Sequence, residues 1–146
     1  MNGAFVGAWK LASWTVEDAS GQSRHPYGER PRGRLIYAAG GQMAVQIQRA
    51  DGALPELTSQ AEAHALAWIS SWFFAYYGSY SIDEVAQTVT HRITGCVAPS
   101  WIGTDQVREY KFVDDDRLEL RAQLEADSEV AQAGGGSNLL VWTRLP

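Results

Sequence analysis

Between residues 88 and 112 apolar and polar side chains alternate with the period of two that marks a half-buried β-strand. The run TVTHRI puts Val89, His91 and Ile93 on one face and Thr88, Thr90, Arg92 and Thr94 on the other. In DQVREYKF, Arg108, Tyr110 and Phe112 share a face opposite Val107, Glu109 and Lys111. Each strand therefore sets one ionisable group on an otherwise apolar wall. The stretch TGCVAPSWIGT joins them as a long hairpin loop, and two such walls are what a lined pocket requires.

The same reading extends along the chain. Residues 5–16 (FVGAWKLASWTV) predict a strand with Gly7, Trp9, Leu11 and Ser13 on one face. Residues 18–31 carry Pro, Gly and charges of both signs without a period, and read as a loop. A hairpin follows: residues 35–38, a Gly40-Gly41 turn, and residues 42–48, where Met43, Val45 and Ile47 oppose Ala44, Gln46 and Gln48. After a connection over 51–58, Ser59 with Glu62 fits a capping box and the period changes. Ala61, Ala65, Trp68, Ile69, Trp72, Phe73 and Tyr76 fall on one helical stripe, so a helix of about four turns is expected, its aromatics packing the core. From Tyr76 strands resume as YYGSYSI, TVTHRIT, VREYKFV, RLELRA and LLVWTR. Asp114-Asp115-Asp116 reads as a solvated tight turn. Residues 124–137 read as a flexible loop over a pocket mouth, because their three glycines lack the Lys and Ser/Thr of a phosphate loop. About eight strands with one helix after the third close most economically as an antiparallel barrel with no exposed edge. A barrel of that size holds side chains or one small ligand.

Composition narrows the classes. One domain over residues 1–146 is long enough to bury roughly 68–70% of its unfolded surface. The net charge is −5 and the basic residues are scattered along the sequence, which argues against nucleic acid. The single Cys96 cannot form an internal disulfide, and neither a signal-like start nor an apolar run of about 20 residues is present. A cytoplasmic protein that does not bind membranes is the expectation. His25, His64 and His91 lack metal-ligand spacing, no G-x-S-x-G surrounds a serine, and no paired carboxylates occupy apolar positions. Cys96 has no nucleophile signature and reads as a small residue packed under the 95–104 loop. Neither metal nor cofactor is expected.

What remains is His91 and Arg108, with Ser13, Tyr37, Gln46 and Tyr80 as polar groups on strand faces. Tyr110 adds an aromatic to the Arg108 face, and Trp101, beside Pro99 and Gly103, is either a core cap or a lid. His91 suits a buried structural imidazole or a general acid/base, since it titrates nearest neutrality. Arg108 suits a rim ion pair, or a fork of donors for a carboxylate or enolate oxygen.

Several stretches carry a resemblance. Gly7-Ala8-Trp9 near the start, with Trp142-Thr143-Arg144 at the end, resembles the lipocalin pattern. In that pattern a terminal Arg stacks on the Trp and donates to nearby carbonyls, fastening the closed end of the barrel. GAWKLASW, PYGERPRGRLIY, GGQMAVQ, YYGSYSIDEVAQTVTHRI, PSWIGTDQVREY and LLVWTR together resemble the bacterial and fungal lipocalin-like domain family. The resemblance implies a cavity for a small apolar molecule. By analogy with small barrels of natural-product pathways, it also implies a cyclase, isomerase or lyase without cofactor. In that leading reading His91 and Arg108 handle protons and developing negative charge. The alternative is a carrier or sensor that holds its ligand unchanged, and a homodimer is compatible with either.

Overall fold

The alternating stretches close into a barrel in the computed structural model, which describes residues 3–50, 69–124 and 136–146. The strands are β1 (Gly7–Asp18), β2 (Ser23–Arg24), β3 (Arg32–Tyr37), β4 (Gln42–Gln48), β5 (Phe73–Asp83), β6 (Thr88–Cys96), β7 (Asp105–Asp114), β8 (Arg117–Leu124) and β9 (Gly136–Arg144). From β3 to β9 each strand pairs antiparallel with the next, and β1 pairs with both β3 and β9, so eight strands close on themselves. The two-residue β2 is an extra strand folded back on the end of β1, inside the segment read as a loop. Closure removes the row of unpaired backbone groups that an edge strand presents.

The expected helix is corrected at its C-terminal end. Its residues 59–68 lie outside the described residues, Ile69 and Ser70 have helical backbone, and Phe73 already begins β5. Pairing with β4, from Gln48↔Phe73 to Gln42↔Ser79, overrides the helical spacing of Phe73 and Tyr76. Among the described residues the helical element that is complete is a short 3-10 turn, Pro99–Trp101. Most of the loop expected over 124–137 also lies outside the described residues.

The core follows the alternation. Val89, His91 and Ile93 are all buried, as are Leu35, Tyr37, Met43, Val45 and Ile47. Two irregularities reset the phase. On β1 the register passes from Leu11↔Trp142 to Ser13↔Val141, leaving Ala12 as an extra residue. Trp14 and Val16 therefore turn inward, and Ser13 is carried to the outer face instead of sharing the face of Trp9 and Leu11. Between β5 and β6 the register passes from Tyr77↔Gly95 to Gly78↔Ile93, so Thr94 is bulged and Cys96 comes to lie opposite Tyr76. Here a glycine is required: a Cβ on Gly78 would overlap the Arg92 carbonyl oxygen.

One end is fastened by the termini. Arg144 places its guanidinium 4.2 Å over the Trp9 ring. It donates from Nη1 to the Val6 carbonyl (2.9 Å), from Nη2 to Ala4 (2.6 Å) and from Nε to Asp115 (3.0 Å). The Asp114–Asp116 turn is thus one wall of the clasp. Trp9 in turn donates from Nε1 to the Phe5 carbonyl at 2.9 Å. Phe5 fills the barrel floor, packed edge-on against Tyr37, Tyr110 and Phe112.

Candidate functional site

His91 lies in the middle of β6 with both ring nitrogens engaged. The Tyr37 hydroxyl, at the end of β3, is 2.6 Å from Nε2, and the Tyr76 hydroxyl, on β5, is 2.7 Å from Nδ1. All three side chains are buried, His91 to 1% exposure. They meet because the β4–β5 and β5–β6 registers bring three non-adjacent stretches to one level of the barrel. Burial, and after it the nearby charge of Arg108, depress the His91 pKa to about 3, so the ring is neutral at physiological pH. Burial raises the pKa of both phenols, and the Arg108 charge works against that rise.

Arg108 reaches this cluster from β7, where it stands opposite Val89 and on the same face as Tyr110 and Phe112. It is half-buried and donates from Nη1 to the Val107 carbonyl at 3.2 Å. Among the described residues no carboxylate pairs with it. An inward cation without an anionic partner, beside three buried polar rings, is the distinctive feature of the interior.

Around this centre the expected residues separate into two groups. Tyr80, opposite His91, stacks edge-on on Tyr37 at 4.7 Å and donates to the Ala38 carbonyl at 2.8 Å, at the β3–β4 turn. Tyr110 packs on Phe5 at the floor. Trp101 packs on Phe74 at 5.1 Å and on Tyr76 at 5.9 Å, on the loop side of the cluster. Its carbonyl accepts from Thr104, whose Oγ1 accepts from Gln106 Nε2, and Gln106 stands opposite His91. Cys96, expected under this loop, accepts the Ala98 N–H on Sγ at 3.4 Å, and burial raises its pKa. Gln46 is exposed on the outer face of β4 and Ser13 lies on the outer face of β1; the fold brings neither to His91.

Sequence reasoning missed two members of the interior. Tyr76, which bonds His91, was absorbed into the helical stripe, although Phe74, Tyr76, Tyr80 and Ile82 keep a period of two once Gly78 is counted as an inward position. Asn138 on β9 is buried with Oδ1 unpartnered, paired with Ala122 and Val16 across the wall. No local signal marks it, because the residues before it carry no alternation. The basic residues are also less scattered than their spacing implies. Lys10, Arg30, Arg32 and Arg34 border one depression of about 560 Å³ on the outer wall of β1 and β3, outside the barrel. Among the described residues no group of three His, Cys, Asp or Glu side chains is placed to hold a metal, and no helix is long and apolar enough to cross a membrane.

Comparison with solved structures finds designed barrels. A redesigned beta barrel is 11% identical, with a TM-score of 0.47 over 98% of this chain and 93% of that one. A de novo designed fluorescence-activating beta barrel is 10% identical, with a TM-score of 0.44 over 97% and 94%. The structure of EF1p2_mFAP2b bound to DFHBI is 12% identical, with a TM-score of 0.48 over 97% and 94%. No curated protein matches the chain. The sequence model of the lipocalin-like domain matches residues 6–145, from the glycine–tryptophan start of β1 through the Arg144 clasp, and the chain belongs to that family.

Proposed function

We propose that the barrel encloses one small, largely apolar molecule and holds its polar end at Arg108 and Tyr76, binding it unchanged as a carrier or sensor. The observation that carries this reading is Arg108, turned inward beside the Tyr37–His91–Tyr76 cluster with no carboxylate partner among the described residues. Half-buried aromatics on the same inner face, Phe74, Tyr80, Trp101, Tyr110 and Phe112, supply the apolar lining. Binding without chemistry is favoured because His91 has both nitrogens engaged and a pKa of about 3. A general base works best with a pKa near the operating pH and a free lone pair.

A specific feature favours a second reading, a cofactor-independent cyclase, isomerase or lyase. The Arg108 charge lies near the Tyr76 phenol, and a guanidinium beside a phenol stabilises an enolate oxygen as charge develops. Native mass spectrometry against a panel of small apolar molecules tests the common ground: a one-to-one adduct is expected at ~10 μM, in the range of ordinary ligand affinities. The absence of any adduct across the panel refutes the proposal. Recovery of the bound molecule after incubation separates the two readings. A carrier returns it unchanged, and Arg108→Ala weakens binding; an isomerase returns a rearranged product, and Arg108→Ala lowers turnover ~10²-fold with affinity little altered.

A further inference from the structure

Across β6, β7 and β8 the facing residues of the outer wall are charge-matched. Arg92 stands opposite Asp105, Glu109 opposite Arg121, Lys111 opposite Glu119 and Asp114 opposite Arg117. Opposite charges at directly facing positions stabilise a sheet, and like charges there destabilise it. Between β1 and β3 the matching fails, because Lys10 stands opposite Arg34. The residues flanking that pair are neutral: Thr143 is the other neighbour of Lys10, and Gln46 that of Arg34. Arg32, on the same face of β3, stands opposite Gln48.

Lys10, Arg30, Arg32 and Arg34 are all exposed, and they border the depression of about 560 Å³ outside the barrel. It opens where β3 parts from β1. Their pairing ends at Lys10↔Arg34, Ala12 is bulged, and from Val16 onward β1 pairs with β2 instead. Among the described residues no carboxylate pairs with any of these four cations, and none lines the depression. Glu29 adjoins Arg30 in sequence but lies outside the lining. The depression beyond Thr143 differs, since Asp114 and Asp116 stand there with Arg117 and Arg144. In a chain of net charge −5, the first depression gathers positive charge without compensation.

Arginine predominates in it, and the planar guanidinium fork matches phosphate oxygens and stays charged at every pH of interest. A concave site of this volume takes a small molecule. To neutralise its cations, that molecule must carry several negative charges close together. Carboxylates strung along a peptide do so only by running beyond the depression. A diphosphate or triphosphate concentrates about three or more charges at neutral pH, because a terminal phosphate loses its last proton near roughly pH 6.

We propose that this depression binds an anion bearing two or more linked phosphates, held by Lys10, Arg30, Arg32 and Arg34. The site lies outside the barrel and is independent of the function proposed for the interior.

Titration calorimetry with inorganic tripolyphosphate, at pH 7.4 and low ionic strength, tests it. Tripolyphosphate should bind one-to-one and at least tenfold more tightly than orthophosphate or hexaglutamate. Arg32→Gln and Arg34→Gln should each weaken it about tenfold, while Lys111→Gln, at a charge-matched position, should leave it unchanged. Without any anion, Arg34→Gln should melt at or above the wild-type temperature, because it relieves the facing Lys10. Vesicles of phosphatidylcholine, with and without phosphatidylinositol bisphosphate, distinguish the source of the phosphates. Co-sedimentation that requires the phosphoinositide assigns a lipid headgroup; tripolyphosphate binding without co-sedimentation assigns a soluble anion. The proposal is overturned by absent tripolyphosphate binding, by equal affinity for orthophosphate or hexaglutamate, by unchanged affinity in both arginine variants, or by a lowered melting temperature for Arg34→Gln.

Discussion

Acid should destabilise this fold through His91 before it does so through most other groups. In the unfolded chain the imidazole takes up a proton near pH 6.5; in the barrel, burial and the Arg108 charge postpone that step to about pH 3. Between these values the unfolded state binds the extra proton, so stability rises with pH by about 1.4 kcal/mol per unit. The stabilisation is fully present above pH 6.5 and is lost as pH falls toward 3. Lowering the pH from 7 to 4.5 should thus cost about 2–3 kcal/mol on account of this single group. Carboxylates also titrate near the lower limit, but they do so equally in a variant without the imidazole. The measurement is therefore a difference: urea unfolding of wild type and His91→Gln at pH 7 and pH 4.5, at constant ionic strength, followed by tryptophan fluorescence. Wild type should lose about 2–3 kcal/mol more than the variant between the two conditions. Equal losses would show that His91 is not held neutral by burial. The ring-proton resonance of His91, flat from pH 7.5 to 4.5, gives the same answer on the native protein.

The closed end, the bulge and the β2 flank each make a separate prediction. Trp9→Ala removes a fully buried indole, its hydrogen bond to Phe5 and the surface on which Arg144 stacks, so a loss of about 4 kcal/mol is expected. Arg144→Ala should cost less, about 1–2 kcal/mol, because the group is partly exposed and its carbonyl partners regain water. An unchanged melting temperature for both variants would refute the clasp. Gly78→Ala forces a methyl group into the Arg92 carbonyl and should cost roughly 2 kcal/mol or more in chemical unfolding, while the neighbouring Ser79→Ala should be near neutral. Tyr27→Phe deletes the hydroxyl that donates to the Ser70 carbonyl at 2.6 Å and should lower stability by about 1 kcal/mol; no change would place that bond outside the native state in solution.

Strand periodicity carried most of the architecture. Alternation alone placed Val89, His91 and Ile93 inward, set Arg108 on the face of Tyr110 and Phe112, and matched β4 at Gln42–Gln48. These assignments are local, since successive residues of an extended chain point to opposite faces whatever their neighbours are. The terminal Trp9–Arg144 pairing was legible as well, through a motif whose two halves lie at opposite ends of the chain.

Wherever an extra residue enters a strand, local alternation gives the wrong face, because every position beyond it is shifted by one. That is why Ser13 lies on the outer face while Trp14 and Val16 fill the core. Tyr76 was drawn toward a helix by its spacing from Trp72 and Phe73, and only the ladder to β4 made it a strand residue that reaches His91. The grouping of Lys10 with Arg32 and Arg34 likewise exists only once β1 and β3 are side by side. Between such irregularities the sequence by itself determined which residues a strand turns inward, since that depends on backbone geometry over a few residues. Which inward residues meet was decided by the closure of the barrel, because strand registers are set by the packing of the whole chain; the Tyr37–His91–Tyr76 cluster beside Arg108 is a product of that closure.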